Sequence, residues 1–237
     1  WFSLGVTALS HLNWALCGNG ICTQGVRVAK NFIVFDLDGT ISDPKDGIVR
    51  SMNYALEAHG FPCRSEQYLE RYIGPPLDKA FKELSGSEDT ELMLSLVAKY
   101  RERYSEVGYS ENRLYEGVVS SLEILSEKHP LAICTSKRAD FAERILALFG
   151  LGHFFEFVSG GDVGITKISQ LSDLLSTGKI GSGSIMVGDR NADLIGAHKN
   201  GLQSVGVLWG YGDYQELSSE SPSMILGSPS ELNKIIT

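Results

Sequence analysis

The pattern of apolar and polar positions divides the chain into stretches of different character. The run Phe32-Ile33-Val34-Phe35 is unbroken and apolar, the pattern of a strand buried on both faces in a parallel sheet. Asp36 and Asp38 follow, two residues apart, so near the strand's end they can project to one side. Gly39 then supplies the backbone freedom for a sharp exit. Beyond the loop Asp43-Pro44-Lys45-Asp46-Gly47 the period becomes helical. Ile48, Met52, Ala55, Leu56 and His59 share a face up to Gly60, and Pro62 ends that unit. Leu77, Ala80, Phe81 and Leu84 predict a second, short helix, and Leu92, Leu96, Tyr100, Tyr104 and Val107 a longer third. Roughly 70 residues thus read as purely helical, with no strand among them.

From Tyr115 onward helix and strand alternate. Val118–Glu127 reads as helix and Leu131–Cys134 as a short strand ending at Thr135-Ser136. Phe141, Ile145 and Leu148 mark a helix closed by Gly150. Phe154–Val158 is a strand, and Ile168, Leu171, Leu174 and Leu175 form the next helix. Ser184–Val187 is a strand ending at Gly188-Asp189, Asp193–Asn200 is helical, and Gln203–Leu208 is a strand. Ser228-Pro229-Ser230-Glu231 has the form of a capping box opening a last helix. Such alternation implies an α/β fold, a doubly wound parallel sheet with covered faces. The helical block between the first strand and the next is then an insertion over the sheet's carboxyl edge. The expected division is 30–43 and 117–237 for the core and 44–116 for the helical cap, with residues 1–29 as an N-terminal extension.

Composition narrows the class. The chain has 237 residues, 43% of them hydrophobic and 21% charged, as in an ordinary soluble protein. A net charge of −8 without a Lys/Arg cluster argues against a nucleic-acid surface. An acidic protein that handles an anion must concentrate positive charge locally, as a metal or a few placed lysines. The four cysteines (Cys17, Cys22, Cys63, Cys134) have no paired metal spacing and read as reduced thiols of a cytoplasmic protein. Residues 1–26 hold no Asp, Glu, Lys or Arg. Their apolar run Leu4–Leu16 has no basic n-region before it and is interrupted by His11 and Asn13, so it reads as an extension without an assigned role and neither as a working signal nor as a membrane span.

Each predicted strand end offers something polar. The first gives Asp36 and Asp38, the second Thr135 and Ser136, a loop before a later helix Lys167, and another strand Asp189 with Asp193 four residues on. Taken singly these are a helix cap, a surface lysine and two Asp or Gly-Asp turns. Together they fall on the carboxyl edge of one sheet, where open α/β folds bind ligands.

The combination resembles the haloacid dehalogenase (HAD) superfamily. Its signature is a DxDGT strand, a Ser/Thr strand, a Lys and a GDxxxD acidic loop. Here those are Asp36-Leu37-Asp38-Gly39-Thr40, Thr135-Ser136, Lys167 and Gly188-Asp189-Arg190-Asn191-Ala192-Asp193. The helical insert, Ile73-Gly74-Pro75-Pro76-Leu77, Arg190 and the run Gly206–Gly212 resemble a bacterial branch of phosphoglycolate phosphatases and 5′-nucleotidases. The resemblance implies a HAD-type Rossmannoid core and a phosphatase in which Asp36 is the nucleophile and forms an aspartyl-phosphate. Asp38 would protonate the leaving oxygen and then activate water. Gly39, Thr40, Thr135, Ser136 and Lys167 would bind the phosphoryl group, and the cap residues Gly74 and Pro75 would read the substrate.

The physics agrees with those roles. A carboxylate attacking a phosphate meets repulsion of about 4 kcal/mol per charge pair at about 4 Å and an effective dielectric near 20. Something cationic must offset it. Asp36 and Asp189 can hold Mg²⁺ as hard oxygen ligands, and by resemblance the Asp38 carbonyl is another. Asp193 would join the metal site or orient Lys167. The loop from Gly160 to Lys167 is short and weakly charged for this branch, so Lys137 stands as the alternative cation, although its place directly after Ser136 aims it elsewhere.

The expected partner is a small phosphorylated metabolite, phosphoglycolate-like or a nucleoside 5′-monophosphate, handled by a monomer or homodimer without nucleic acid or membrane. Arg71 could pair with a substrate carboxylate or lie exposed on its helix. Two rivals stay open, a phosphosugar mutase of the same superfamily and a non-catalytic phosphoryl- or protein-binding relative. Gly188-Asp189-Arg190 speaks against the mutase, and the presence of both Asp36 and Asp38 against the binding protein.

Overall fold

The structure, a computed structural model, describes residues 29–162 and 164–236. The apolar run Leu4–Leu16, with Cys17, Cys22, Trp1, Phe2 and Trp14, lies outside the described residues. The run of Ile33–Phe35 forms β1 at the middle of a six-stranded sheet. Its neighbours are β4 (Leu131–Thr135) and β6 (Ile185–Gly188), and Ile33 is in register with both Leu131 and Ile185. Outside them lie β5 (Phe155–Gly160) on one side and β7 (Gln203–Val207) then β8 (Met224–Leu226) on the other. Every pair in this sheet is parallel.

A β1 buried on both faces explains why its residues do not alternate with polar ones. Ile33 and Phe35 face α5 (Val118–Ser126) and α6 (Ala139–Leu148) through Leu122, Leu125, Ala142 and Ile145. Phe32 and Val34 face the opposite layer, where Leu171 and Leu174 of α7 (Lys167–Ser176) and Ala197 of α8 (Asn191–Lys199) cover them. With helices on both sides, every strand delivers its carboxyl end to one edge.

Between β1 and β4 the chain builds a second apolar cluster. It joins α1 (Lys45–Ala58), α2 (Glu66–Leu69), α3 (Leu77–Ser85) and α4 (Thr90–Glu106). Met52, Leu56, Leu69, Ile73, Phe81, Leu96 and Tyr104 are its largest fully buried side chains. Asp89 caps α4 by accepting a hydrogen bond from the Glu91 N–H (2.9 Å). Phe141 of α6 is the core residue that joins this cluster from below.

The stretch is not purely helical. Ser42–Asp43 (β2) pairs antiparallel with Arg113–Leu114 (β3), a two-stranded ribbon through which the chain leaves and re-enters the core. Two-residue strands are too short for any hydrophobic period to register. For the same reason α2, β8 and α9 (Tyr214–Ser219) escape the sequence pattern. The last helix opens at Pro229 but winds as a 3₁₀ helix to Ile236, and Glu231 turns back to accept the Gly227 N–H (2.6 Å). Leu148 and Ile168, expected on buried faces, are 48% and 40% exposed, because Leu146 and Lys167 take the inward positions. No described helix is long and apolar enough to cross a membrane.

Candidate active site

The site forms where β1, β4 and β6 end. Asp36 follows β1 directly, and its N–H is held by the Val187 carbonyl of β6 (2.9 Å). Leu37 then bends the chain, accepting N–H groups from Thr40, Ile41 and Ser42 (2.9–3.3 Å). Gly39 sits at φ +86°, and any side chain there would collide with the Asp189 carboxylate, so both its backbone and its bareness are required. This loop keeps Asp36 and Asp38 within 10% of full burial.

Lys167 is not in a loop. It is the first residue of α7, whose start is closed by reciprocal Thr166 and Ser169 contacts, and its side chain runs inward beneath the sheet edge. Its Nζ donates to Asp36 Oδ1 (2.9 Å) and to the Cys134 carbonyl (2.6 Å), and lies 2.9 Å from Asp193 Oδ1. Burial opposes the lysine's charge, but Asp193 and Asp36 outweigh it and hold the ammonium above its ordinary pKa. Burial likewise pushes Asp193 up to about 6, with Lys167 acting against the rise. The other oxygen of Asp193 accepts the Arg190 N–H (3.2 Å).

Asp189 is fully buried. The Tyr211 N–H donates to its Oδ2 (2.8 Å) and the Thr40 hydroxyl approaches Oδ1 (3.4 Å). Trp209 Nε1 donates to the Thr40 carbonyl (2.9 Å), so the Trp209–Tyr211 segment braces both the acidic loop and the end of the first motif. Burial, then Asp193 and Asp36, raise the Asp189 carboxyl far above the usual carboxylate range. Three buried carboxylates, with Lys167 as the ammonium against two of them, could hold a cation. Oxygens of Asp36, Asp189 and Asp193 lie within 4.8 Å of one another, and one oxygen of Asp38 is buried without a hydrogen-bond partner. This hard, oxygen-only donor set fits Mg²⁺.

Thr135 ends β4, its hydroxyl accepting the Lys137 N–H (3.2 Å). Ser136 is solvent-exposed and lines a cavity over Asp36 and Asp38. Lys137 does not point elsewhere. Its Nζ lies 2.9 Å from Asp38 Oδ2 and donates to the hydroxyl of Tyr104 on α4 (2.7 Å). Burial raises the Asp38 carboxyl, with Lys137 pulling it back down. Sequence reasoning kept Lys137 only as an alternative to Lys167, because a residue adjacent to two hydroxyls on a strand end could face either way. Tyr104 was legible only as one apolar position among several on its helix.

The cavity over Asp36 and Asp38 holds about 90 Å³. The helical cap closes it with Ile48, Tyr72, Gly74, Pro75, Tyr100 and Tyr104. Arg190 ties the two parts together, donating from Nη1 to the Ile73 carbonyl (2.8 Å) and from Nε to Glu216 (2.9 Å). Gly74, at φ +102°, lets the Gly-Pro-Pro loop turn beside that guanidinium. Arg101 of the cap meets Asp162 of the core (2.7 Å). Arg71 lies elsewhere, over the Tyr68 ring (4.6 Å) in a separate cleft.

Residues 33–207 match the haloacid dehalogenase-like hydrolase family. The chain belongs to that family. Over 211 residues it is 35% identical to a 5′-nucleotidase of Pseudomonas aeruginosa, an alignment covering 86% of this chain and 94% of that one. It is 31% identical over 216 residues to a phosphoglycolate phosphatase of Vibrio parahaemolyticus, covering 86% and 95%. Among solved structures, that of a predicted phosphatase from Clostridium acetobutylicum superposes with a TM-score of 0.82 at 34% identity, covering 88% of this chain and 98% of that one. Within the family the chain is a phosphatase.

Proposed function

We propose that the protein is a Mg²⁺-dependent phosphomonoesterase that works through an aspartyl-phosphate on Asp36. The observation that carries this reading is the pair of buried carboxylates at one strand end, each with its own lysine within 2.9 Å. Two carboxyls in different surroundings can take different parts in one reaction. An oxygen of Asp36 attacks phosphorus as the bond from phosphorus to the leaving oxygen breaks, and the Asp38 proton passes to that oxygen. Water then attacks the aspartyl-phosphate and gives a proton to Asp38, releasing phosphate and the free Asp36 carboxylate. A raised Asp38 pKa suits a group that must hold a proton and then take one back.

Lys167 holds Asp36 in place and neutralises charge where the phosphate arrives, while Asp193 orients Lys167 through the 2.9 Å contact. Thr135, with Gly39, Thr40 and Ser136 around it, supplies donors for the phosphoryl oxygens. Asp36, Asp189 and the Asp38 carbonyl, together with Asp193, would hold Mg²⁺, which would supply the positive charge that lets an anion approach two carboxylates. The aspartates' burial favours that ion, since their own charges repel.

The cavity lining supports a leaving group with an apolar or aromatic face, as in a nucleoside 5′-monophosphate, over the carboxylate of phosphoglycolate. Tyr72, Tyr100, Tyr104, Phe141, Pro75 and Pro76 form the walls. The cations there, Arg101, Lys137 and Arg138, each have a carboxylate partner within 3.0 Å. The test is phosphate release with Mg²⁺ from nucleoside monophosphates, phosphoglycolate and sugar phosphates. Nucleoside monophosphates should lead, and Asp36→Asn should lower turnover by at least about 10³-fold on all of them. Full turnover in that variant would exclude the aspartyl-phosphate, and a preference for phosphoglycolate would overturn the substrate reading alone.

A further inference from the structure

Lys137 has no part in the reaction as set out above, yet its side chain is 7% exposed against 3% for Lys167. Burying an ammonium is unfavourable unless its partners are well placed. One partner is Asp38 Oδ2 at 2.9 Å and the other the Tyr104 hydroxyl at 2.7 Å. The ammonium also lies 4.5 Å from the centre of the Tyr104 ring, over its face.

Those partners come from different parts of the molecule. Asp38 belongs to the core and Tyr104 to α4 of the cap. Tyr104 is held by stacking on Tyr100 (5.3 Å, 12°) and by the edge-on ring of Phe141 in α6 (5.2 Å, 90°). Its hydroxyl also faces Asn112 Nδ2 (3.5 Å), and Asn112 Oδ1 accepts from the Ser42 hydroxyl (3.1 Å) on β2. A polar line therefore runs from the ribbon joining the two parts, through Tyr104 and Lys137, to Asp38. A lysine is a point charge on a flexible stem and does not fix a carboxylate's orientation by itself. The tyrosine supplies the second point that does. The remaining Asp38 oxygen is buried without a partner, in a residue that lines the cavity.

We propose that Lys137 is a positioning residue for Asp38 and that Tyr104 completes the arrangement, so that proton transfer to the leaving group is set up only while the cap lies against the core. The proposal rests on the assignment of Asp38 as acid and base. In the step concerned the Asp38 proton moves to the leaving oxygen as its bond to phosphorus breaks, and the carboxylate left behind stays paired with Lys137.

The test compares kcat/KM of the full chain with Mg²⁺ on p-nitrophenyl phosphate, whose leaving group departs without a proton, and on benzyl phosphate, whose leaving group needs one. Lys137→Met and Tyr104→Phe should lose about 30-fold or more on the benzyl ester, within the range of general acid catalysis, and several-fold less on the nitrophenyl ester. Lys137→Arg should recover part of the loss. Tyr104→Phe keeps the ring and its stacking, so it reports on the hydroxyl even if Lys137→Met fails to fold. An even loss on both esters beside a selective loss in Asp38→Asn overturns the proposal alone. An even loss in Asp38→Asn overturns the assignment of Asp38 and the proposal with it.

Discussion

Asp36 and Asp38 stand two residues apart, and a lysine holds each, yet the two pairs belong to different regions. Lys167 is gripped wholly from within the core, by Asp36, Asp193 and the Cys134 carbonyl. Lys137 is shared between the core's Asp38 and the cap's Tyr104. The first pair lies under a sheet whose strands are hydrogen-bonded on both sides. The second depends on a contact across an interface whose covalent links are the two short strands β2 and β3. The contrast teaches that two neighbouring carboxylates can be tied to different parts of the fold, Asp36 to the core alone and Asp38, through Lys137, to the cap as well.

The comparison breaks most visibly at Lys167. Removing one partner of a buried ion network typically costs about 3–5 kcal/mol, because the remaining charges stay buried and uncompensated. Lys167→Met should therefore lower stability by that order in a denaturant melt and turnover by at least about 10³-fold. Added Mg²⁺ should raise the variant's melting temperature more than the wild type's, since the freed Asp36 and Asp193 are left without their cation. An unchanged melt would place Lys167 outside the core network.

A second substitution separates the two regions physically. Phe81 is fully buried in the cap cluster and stands edge-on to Tyr100 at 6.2 Å. Phe81→Ala should cost about 3–5 kcal/mol at that site. Hydrogen exchange should show the lost protection confined to α1, α3 and α4, with the amides of β1, β4 and β6 unaffected. Equal loss in the central strands would mean that cap and core unfold as one unit.

The smallest effect sharpens the picture of how the cap holds itself together. Glu111 accepts from Arg103 of α4 (2.9 and 3.1 Å) and from Arg50 of α1 (2.7 Å). Arg103 foremost holds the carboxyl below its ordinary pKa. A depressed folded-state pKa adds stability above the unfolded value, and that stability fades as pH falls through the folded value. Glu111→Gln should thus cost about 1 kcal/mol near neutral pH. The gap between variant and wild type should close as the pH is lowered into and below the usual glutamate range. A gap that does not change with pH would mean a packing role and not an ionic one.

The position of β1, the alternation after Tyr115 and the gathering of Asp36, Asp38, Thr135, Lys167, Asp189 and Asp193 at one edge were written in the sequence. Each depends on a local period or on where a strand stops, and a parallel sheet brings its strand ends together whatever the loops do. The tertiary structure decided the rest. Ser42–Asp43 pairs with a segment some 70 residues away, and no local signal marks a strand two residues long. Lys167 reaches Asp36 across a separation of 131 residues and Lys137 reaches Tyr104 across 33. A long, flexible side chain can point to either side of its backbone, so only the completed packing selects which carboxylate it meets. The same holds for Arg190, whose hold on the Ile73 carbonyl requires the cap already in place. Sequence periodicity placed the carboxylates at the strand ends, and contacts between distant segments chose the groups that steady them.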